Sequence, residues 1–150
     1  MKIVLQRVSR ASVTVGDELV GKIGLGLVAL VGVAHGDTEK DADYLADKVV
    51  SLRIFADEAS RFNLSIMETG GEILVISQFT LLADTRKGRR PNFIEAATPE
   101  QAETLFNFFV ERICDTGLKV EVGRFQQHML VEIHNDGPVT IVLNSKEKAL

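Results

Sequence analysis

The stretch Asn135-Asp136-Gly137-Pro138-Val139-Thr140 joins two runs that read as β-strands, 129–134 (MLVEIH) and 139–143 (VTIVL). An Asp-Gly pair between such runs predicts a hairpin turn. Pro138 opens the second run at a position that has no N–H for the strand ladder. A Gly-Pro bond has only a small trans preference, so its surroundings can hold it cis. The carbonyls of Gly137 and Pro138 are then free to point at a ligand, although the hexapeptide alone also fits a proline-stiffened turn.

The rest of the chain predicts an α+β fold. A largely antiparallel or mixed sheet of hairpin-joined strands is covered by two main helices, within a single domain of residues 1–150. Apolar patterning predicts strands over 2–8, 11–15, 19–23, 27–33, 72–82 and 119–123, and helices over 39–52 and from Thr98 to Gly117. Several strands are rich in aliphatic residues, so we expect helices on one sheet face and another chain on the other. Residues 145–150 are expected to form a frayed tail.

Composition excludes several classes of protein. The net charge of −4 excludes a chain that is basic overall, so any contact with RNA must come from a local patch. A single cysteine excludes an intramolecular disulfide framework and fits a reducing compartment. The longest apolar run, residues 23–34, is interrupted by glycines and too short for a membrane span. We therefore expect a cytoplasmic protein with no membrane partner.

The most unusual polar stretch is Ser77-Gln78-Phe79-Thr80, at the end of an otherwise apolar strand. Side chains that can form hydrogen bonds must find partners there, in a neighbouring loop or in a cleft that takes a ligand. Both interpretations stay open from the residues alone. Ser77 or Thr80 acting as a nucleophile would need an adjacent base.

The histidines do not supply that base by their spacing. None of His35, His128 and His134 lies at a spacing that indicates a catalytic triad. His128 and His134 would share one face of a strand, but they lack further Cys or His ligands for zinc. The sequence therefore predicts no metal site.

Four cations fall within five positions of this acidic chain: Arg86, Lys87, Arg89 and Arg90. Such a basic loop is either a solvated loop or a contact for phosphate. Its position just after the Ser-Gln-Phe-Thr stretch favours an anionic substrate beside a cleft.

These stretches resemble the signatures of a known family. Ser77-Gln78-Phe79-Thr80-Leu81 and the hexapeptide at 135–140 are similar to the two motifs of D-aminoacyl-tRNA deacylases, also called D-tyrosyl-tRNA deacylases. Supporting segments follow in the same order along nearly the whole chain: Gln6-Arg7-Val8, Ala11-Ser12-Val13, Asn63-Leu64, Lys87-Gly88, Arg90-Pro91, Phe93, Gly123-Arg124-Phe125 and Met129. Either signature alone is weak, whereas both together with these segments are specific.

The resemblance implies a homodimer that hydrolyses the ester between a D-amino acid and the terminal adenosine of tRNA. It also implies removal of glycine mischarged on tRNA-Ala, because glycine has no side chain to clash. A cis Gly137-Pro138 peptide from one subunit enters the partner's site, where its carbonyls accept hydrogen bonds from the substrate α-ammonium group. An L-amino acid would drive its side chain into this chirality gate. Arg7 is the position expected to fix the orientation of the Gly-Pro peptide.

The catalytic stretch carried over from the family is Ser77 to Thr80. Backbone N–H groups around Phe79 and Thr80 would stabilise the developing oxyanion, while Ser77 and Gln78 position the adenosine and the ester. Either Thr80 is the nucleophile or the ribose 2′-hydroxyl assists an attacking water, and the lack of an obvious base favours the second account. Phe125 and Met129 would line the pocket, and the four basic-loop cations would bind tRNA. No metal or cofactor is implied.

One segment departs from the family pattern. Gln126-Gln127-His128 is bulkier and more polar than the small residues usual between Phe125 and Met129, and we expect it to border the substrate pocket. Two other functions remain as alternatives: a non-catalytic RNA-binding dimer that uses Arg86–Arg90, and a small-molecule esterase, which the basic loop disfavours.

Overall fold

The computed structural model describes residues 1–147 and centres on a six-stranded mixed sheet. The elements are β1 (Lys2–Val15), β2 (Glu18–Ile23), β3 (Gly26–Gly32), α1 (Glu39–Ser51), β4 (Phe55–Ala56), β5 (Phe62–Leu64), α2 (Ile66–Thr69), β6 (Glu72–Ser77), a 3-10 helix (Phe79–Leu82), α3 (Pro99–Cys114), β7 (Lys119–Val122) and β8 (Leu130–Asn144). The order confirms the expected α+β class, with α1 and α3 as the two main helices. Within residues 1–147, no helix is both long and apolar enough to cross a membrane.

Strand β1 organises the sheet because it pairs with three others. Its first half lies between β3 and β8, and its second half between β2 and β8, all antiparallel. Strand β6 then pairs with β3 and β7 in parallel, which makes the sheet mixed. Strand β2 also approaches β6 and β7, so the sheet curls until it is nearly a barrel.

Two apolar clusters cover the two faces of this sheet, because successive side chains on a strand alternate between faces. The larger cluster packs α1 and α3 against residues such as Leu5, Leu27 and Val75. The smaller one fills the inside of the curl with residues such as Val13 and Leu74. Because both faces of the sheet are covered by apolar side chains, the strands have nearly continuous aliphatic sequences.

The predicted hairpin at the Asp-Gly pair is wrong. Residues 130–134 and 139–143 of these runs belong to one strand, β8, and both parts of that strand pair with β1. Val8 is opposite Asn135 and Gln6 is opposite Thr140, so one residue of β1 faces four residues of β8. The additional residues must leave the sheet, and 136–139 form a bulge that we call the Gly-Pro protrusion.

Two strand boundaries also differ from the prediction. The expected strands 2–8 and 11–15 are one continuous β1. The strand predicted over 72–82 ends at Ser77, and Phe79–Leu82 forms a 3-10 helix instead. The apolar pattern could not show that the strand ends at Ser77, because Leu81 and Leu82 continue that pattern although they belong to a helical turn.

The tail expected to be frayed from residue 145 is held in place where the structure describes it. Ser145 is buried, its N–H donates to the Met1 carbonyl, and its hydroxyl accepts from the Met1 ammonium group at 2.9 Å. The same ammonium group pairs with the buried carboxylate of Asp37 at 2.7 Å. The prediction is therefore wrong for Ser145, and residues 148–150 lie outside the described part.

A second carboxylate of this cluster, Asp41, lies in the first turn of α1. It accepts the N–H of the N-cap Thr38 at 2.9 Å, as the capping position predicts. Burial raises the pKa of Asp41, but hydrogen bonds from Ser145 and Thr38 and the charge of Lys146 outweigh it and lower the pKa to about 2. The chain end thus stabilises the start of the first helix.

Candidate active site

A cleft of about 590 Å³ opens where β6 ends. It brings Ser77, Gln78 and Phe79 together with Phe125 and Met129, which are far away in the sequence. The remaining lining residues are Val33, Ile76, Ala96, Ala97, Pro99, Ala102, Gln126, Gln127, His128 and Val131. Thr80 is next to the cleft in the chain but does not line it. The Ser-Gln-Phe-Thr stretch therefore faces a cleft rather than only a neighbouring loop.

The position of the 3-10 helix depends on a glycine of the adjacent strand. The Gln78 N–H donates to the Val31 carbonyl at 2.7 Å, and the chain then turns away from β3. A Cβ on Gly32 would lie 2.6 Å from Leu82 and 3.0 Å from the Gln78 carbonyl oxygen. A larger residue at this position would displace the Leu82 side chain and crowd the Gln78 carbonyl, so glycine favours the close approach of the helix to β3.

This geometry leaves two backbone donors at the strand end beside the cleft. The first hydrogen bond of the helical turn runs from the Leu81 N–H to the Gln78 carbonyl at 3.2 Å. The N–H groups of Phe79 and Thr80 precede it, so the helix contains no carbonyl acceptor for them. Such paired donors can stabilise an oxyanion.

The Thr80 hydroxyl has a neutral neighbour. The Gln78 carboxamide donates a hydrogen bond to Thr80 Oγ1. A carboxamide is not a base that removes a hydroxyl proton, and among residues 1–147 no carboxylate or imidazole bonds to this hydroxyl. The contact orders the two side chains without activating Thr80 as a nucleophile.

Another part of the cleft lining combines Phe125 and Met129 with the polar, exposed segment 126–128. Phe125 packs on Phe106 with ring centroids 6.4 Å apart, and the Met129 sulfur accepts the Arg124 N–H at 3.4 Å. Gln126 has a φ of +62°, which turns the 126–128 segment along the rim, where its side chains are exposed. The segment that departs from the family pattern thus borders the cleft, as expected.

The Gly-Pro protrusion is closed at its base by Asn135. The Asn135 side chain accepts the Val139 N–H at 2.7 Å and donates to Thr140 Oγ1 at 2.9 Å. Val139 is buried, whereas residues 136–138 are exposed. The Gly137-Pro138 bond is cis, as expected, and Gly137 has a φ of +138° that only glycine adopts readily. Neither residue lines the cleft of its own chain.

Arg7 holds the protrusion from the side. Its Nε donates to the Asp136 carbonyl at 3.0 Å, and its Nη1 donates to the Ile54 carbonyl at 2.8 Å. Its guanidinium carbon lies 5.4 Å from the centre of the Phe62 ring. Sequence reasoning selected Arg7 but missed its supports Ile54 and Phe62, because nothing in the sequence indicates that the 54–64 hairpin meets the protrusion.

The basic loop contains two kinds of cation. Mutual hydrogen bonds between Asp84 and Asn92 close the loop. Arg86 forms a fork with Asp84, from Nε at 2.9 Å and from Nη2 at 2.8 Å. These hydrogen bonds lower the pKa of Asp84 to about 2. The other three cations, Lys87, Arg89 and Arg90, are exposed and form no ion pair within residues 1–147.

Solved structures share this fold. One described as a c-Myc DNA Unwinding Element Binding Protein superposes with a TM-score of 0.91 at 44% identity, covering 96% of this chain and 98% of that one. Another, described as a probable eukaryotic D-amino acid tRNA deacylase, gives a TM-score of 0.80 at 16% identity, covering 95% and 97%. The second likeness establishes the fold class alone.

Sequence comparison then identifies the family. The family described as D-Tyr-tRNA(Tyr) deacylase matches residues 4–144. A D-aminoacyl-tRNA deacylase of Dehalococcoides mccartyi is 57% identical over 148 residues, 99% of this chain and 97% of that protein. One from Caldicellulosiruptor saccharolyticus is 59% identical over 147 residues, 98% and 99% of the two chains. This chain belongs to the D-Tyr-tRNA(Tyr) deacylase family.

Proposed function

We propose that this protein is a D-aminoacyl-tRNA deacylase, which hydrolyses the ester between a D-amino acid and the terminal adenosine of tRNA. The observation that carries the proposal is the cleft at the end of β6, which joins Ser77, Gln78 and Phe79 to Phe125 and Met129. The relatives at 57% and 59% identity are both named D-aminoacyl-tRNA deacylase. We further propose that residues 1–150 act as one domain in the cytoplasm, without a metal or cofactor.

Ester hydrolysis at this site depends on backbone N–H donors that stabilise the oxyanion rather than on a protein side chain acting as a base. Water adds to the ester carbonyl carbon, and negative charge develops on the carbonyl oxygen. The N–H groups of Phe79 and Thr80 stabilise that charge, and Ser77 and Gln78 orient the ester and the adenosine. The bond to the ribose oxygen then breaks, and this oxygen receives the proton that the water releases.

The attacking group is water rather than Thr80. Thr80 Oγ1 is bonded to a neutral carboxamide, and within residues 1–147 no carboxylate or imidazole is bonded to it as a proton acceptor. The neighbouring ribose 2′-hydroxyl of the substrate lies next to the ester and can hydrogen-bond the water in place of a protein base. Binding in the cleft then contributes mainly orientation and charge stabilisation.

A homodimer supplies the chirality gate. Strand β8 is an edge strand, and Val142 on its helix-free face is 71% exposed beside Val4 of β1. An uncovered apolar edge of this kind favours a second chain. Gly137 and Pro138 are exposed and held by Asn135 and Arg7, yet lie outside their own cleft.

In the dimer, the carbonyls of Gly137 and Pro138 accept the α-ammonium group of a substrate bound to the partner. A D-side chain points away from them, whereas an L-side chain collides with the protrusion. Glycine has no side chain on either side, so glycine mischarged on tRNA-Ala is also a substrate.

The alternative is a non-catalytic RNA-binding dimer that uses the loop Arg86–Arg90. The exposed cations of that loop favour it, but RNA binding alone gives no reason for the cleft or for the ordered protrusion. Enzymatic activity therefore explains more of the structure than binding does.

The decisive experiment compares release of tyrosine from D-tyrosyl-tRNA and L-tyrosyl-tRNA. We expect rapid release from the D-substrate alone, whereas equal rates or no release from either would contradict the proposal. Val142→Asp should convert the dimer to a monomer in sedimentation and abolish release. Leu25→Asp, at a position 69% exposed in the turn before β3, is the matched control and should change neither.

A further inference from the structure

Phe79 presents an exposed aromatic ring at the mouth of the cleft. Its side chain keeps 56% of its surface exposed, although the residue also lines the cleft. The ring of Phe93 meets it edge to face, with centroids 5.0 Å apart and an angle of 69° between the planes. This contact fixes the orientation of the Phe79 ring and leaves part of its surface free.

The ring stands between the cleft and the basic loop. Mutual hydrogen bonds between Asp84 and Asn92 close that loop immediately before Phe93, so Phe93 joins the loop to Phe79. The loop carries Lys87, Arg89 and Arg90, which are exposed and form no ion pair with any residue in the described range 1–147. An aromatic ring beside free cations is the arrangement by which proteins hold unpaired nucleic acid, with bases on the ring and phosphates on the cations.

We propose that the exposed surface of Phe79 is a stacking platform for the unpaired base that precedes the terminal adenosine of tRNA. The identity of the RNA rests on the proposed function. The cleft of about 590 Å³ has room for the terminal adenosine and its amino acid, so the next nucleotide lies at the mouth. Phe79 then has two separate roles: its N–H faces the ester and its ring holds the preceding base.

The test measures equilibrium binding of an uncharged single-stranded RNA ending in CCA. Phe79→Leu keeps the backbone N–H and an apolar side chain but removes the π-face, and should weaken binding about five-fold or more. Phe79→Tyr should restore binding to the level of the unaltered protein. Ile94→Ala, which truncates a 77% exposed side chain next to Phe93 in the sequence, is the matched control and should have no effect.

A double-mutant cycle between the protein and the RNA identifies the nucleobase that stacks on Phe79. An RNA that is abasic at the penultimate position should bind the unaltered protein about as weakly as Phe79→Leu binds the intact RNA, and combining the two changes should cost no more than either alone. Additive losses would overturn the proposal, as would coupling to the terminal position only. Loss of the dimer in sedimentation of Phe79→Leu would show that the ring packs against a second chain instead, which also overturns it.

Binding of uncharged RNA separates this inference from the proposed function. Coupling between Phe79 and the penultimate base without release of D-tyrosine would support the stacking role of Phe79 and contradict the deacylase activity. Release of D-tyrosine without that coupling would reject the platform and keep the deacylase.

Discussion

The division of the basic loop into paired and unpaired cations predicts how tRNA binding depends on salt. Each phosphate neutralised on a single strand contributes about 0.7 to the slope of log affinity against log salt concentration. Replacing Lys87, Arg89 and Arg90 together by glutamine should therefore reduce the slope by about 2. Between about 0.05 and 0.2 M salt, the unaltered protein should lose about 20-fold more affinity than this triple variant.

The matched control removes charge from the same loop without removing a free cation. Arg86 is held by the fork to Asp84 at 2.8 and 2.9 Å, so its charge is compensated within the protein. The double variant Asp84→Asn with Arg86→Gln leaves the net charge unchanged and keeps a side-chain oxygen at position 84. We expect its slope to equal that of the unaltered protein.

The assay is equilibrium binding of uncharged tRNA, by filter retention or fluorescence, over a series of salt concentrations. Thermal unfolding of each variant serves to check that the fold is retained. An unchanged slope in the triple variant would refute the role of this loop in phosphate binding. A slope reduced equally by the double variant would refute the distinction between Arg86 and the other three cations.

Three further outcomes follow from the geometry. Thr80→Ala should keep substantial D-tyrosyl-tRNA hydrolysis, because within residues 1–147 the hydroxyl is bonded to a carboxamide and to no base. Complete loss would return Thr80 to the nucleophile role. Gly137→Ala places a Cβ 2.8 Å from Val139 in a strained φ region and should lower the D-to-L ratio of kcat/KM about tenfold; Gly16→Ala, also at positive φ but with open space around it, is the control and should leave the ratio unchanged. Asp41→Asn should destabilise the fold by about 2 kcal/mol at neutral pH. Because the folded pKa of about 2 is below the usual value of 3.8, this difference should be lost as pH falls from about 4 towards 2, as urea unfolding at several pH values can measure.

Local chemistry determined much of what was predicted correctly. Helix α1 starts after Thr38, whose N–H donates to the Asp41 carboxylate, and α3 starts after Thr98, whose hydroxyl accepts the Gln101 N–H. Each of these caps is a property of a few consecutive residues. The polar Ser77–Thr80 stretch was recognisable as a candidate for lining a cleft because polar groups at the end of a buried strand need partners, and Ser77, Gln78 and Phe79 do line one. The Gly-Pro pair was recognisable because few other sequences disrupt a strand in that way.

Long-range pairing determined the rest. Whether the Asp-Gly pair forms a hairpin or a bulge depends on β1, more than a hundred residues away, which pairs with both halves of β8. The same applies to Arg7, whose partners Asp136 and Ile54 come from separate parts of the chain. No local pattern encodes such pairs, since their stability depends on the whole sheet having formed.

The sequence by itself thus determined which residues are chemically unusual: the Gly-Pro pair, the polar end of β6 and the basic loop. Only the tertiary structure decided where each of them lies and which groups it contacts. It turned a predicted turn into an exposed protrusion, removed Arg86 from the free cations by pairing it with Asp84, and set Phe79 between the cleft and the loop. The physical reason is that the type of a residue determines which hydrogen bonds and apolar contacts its side chain can form. Which partners it meets depends on how distant segments of the chain pack together.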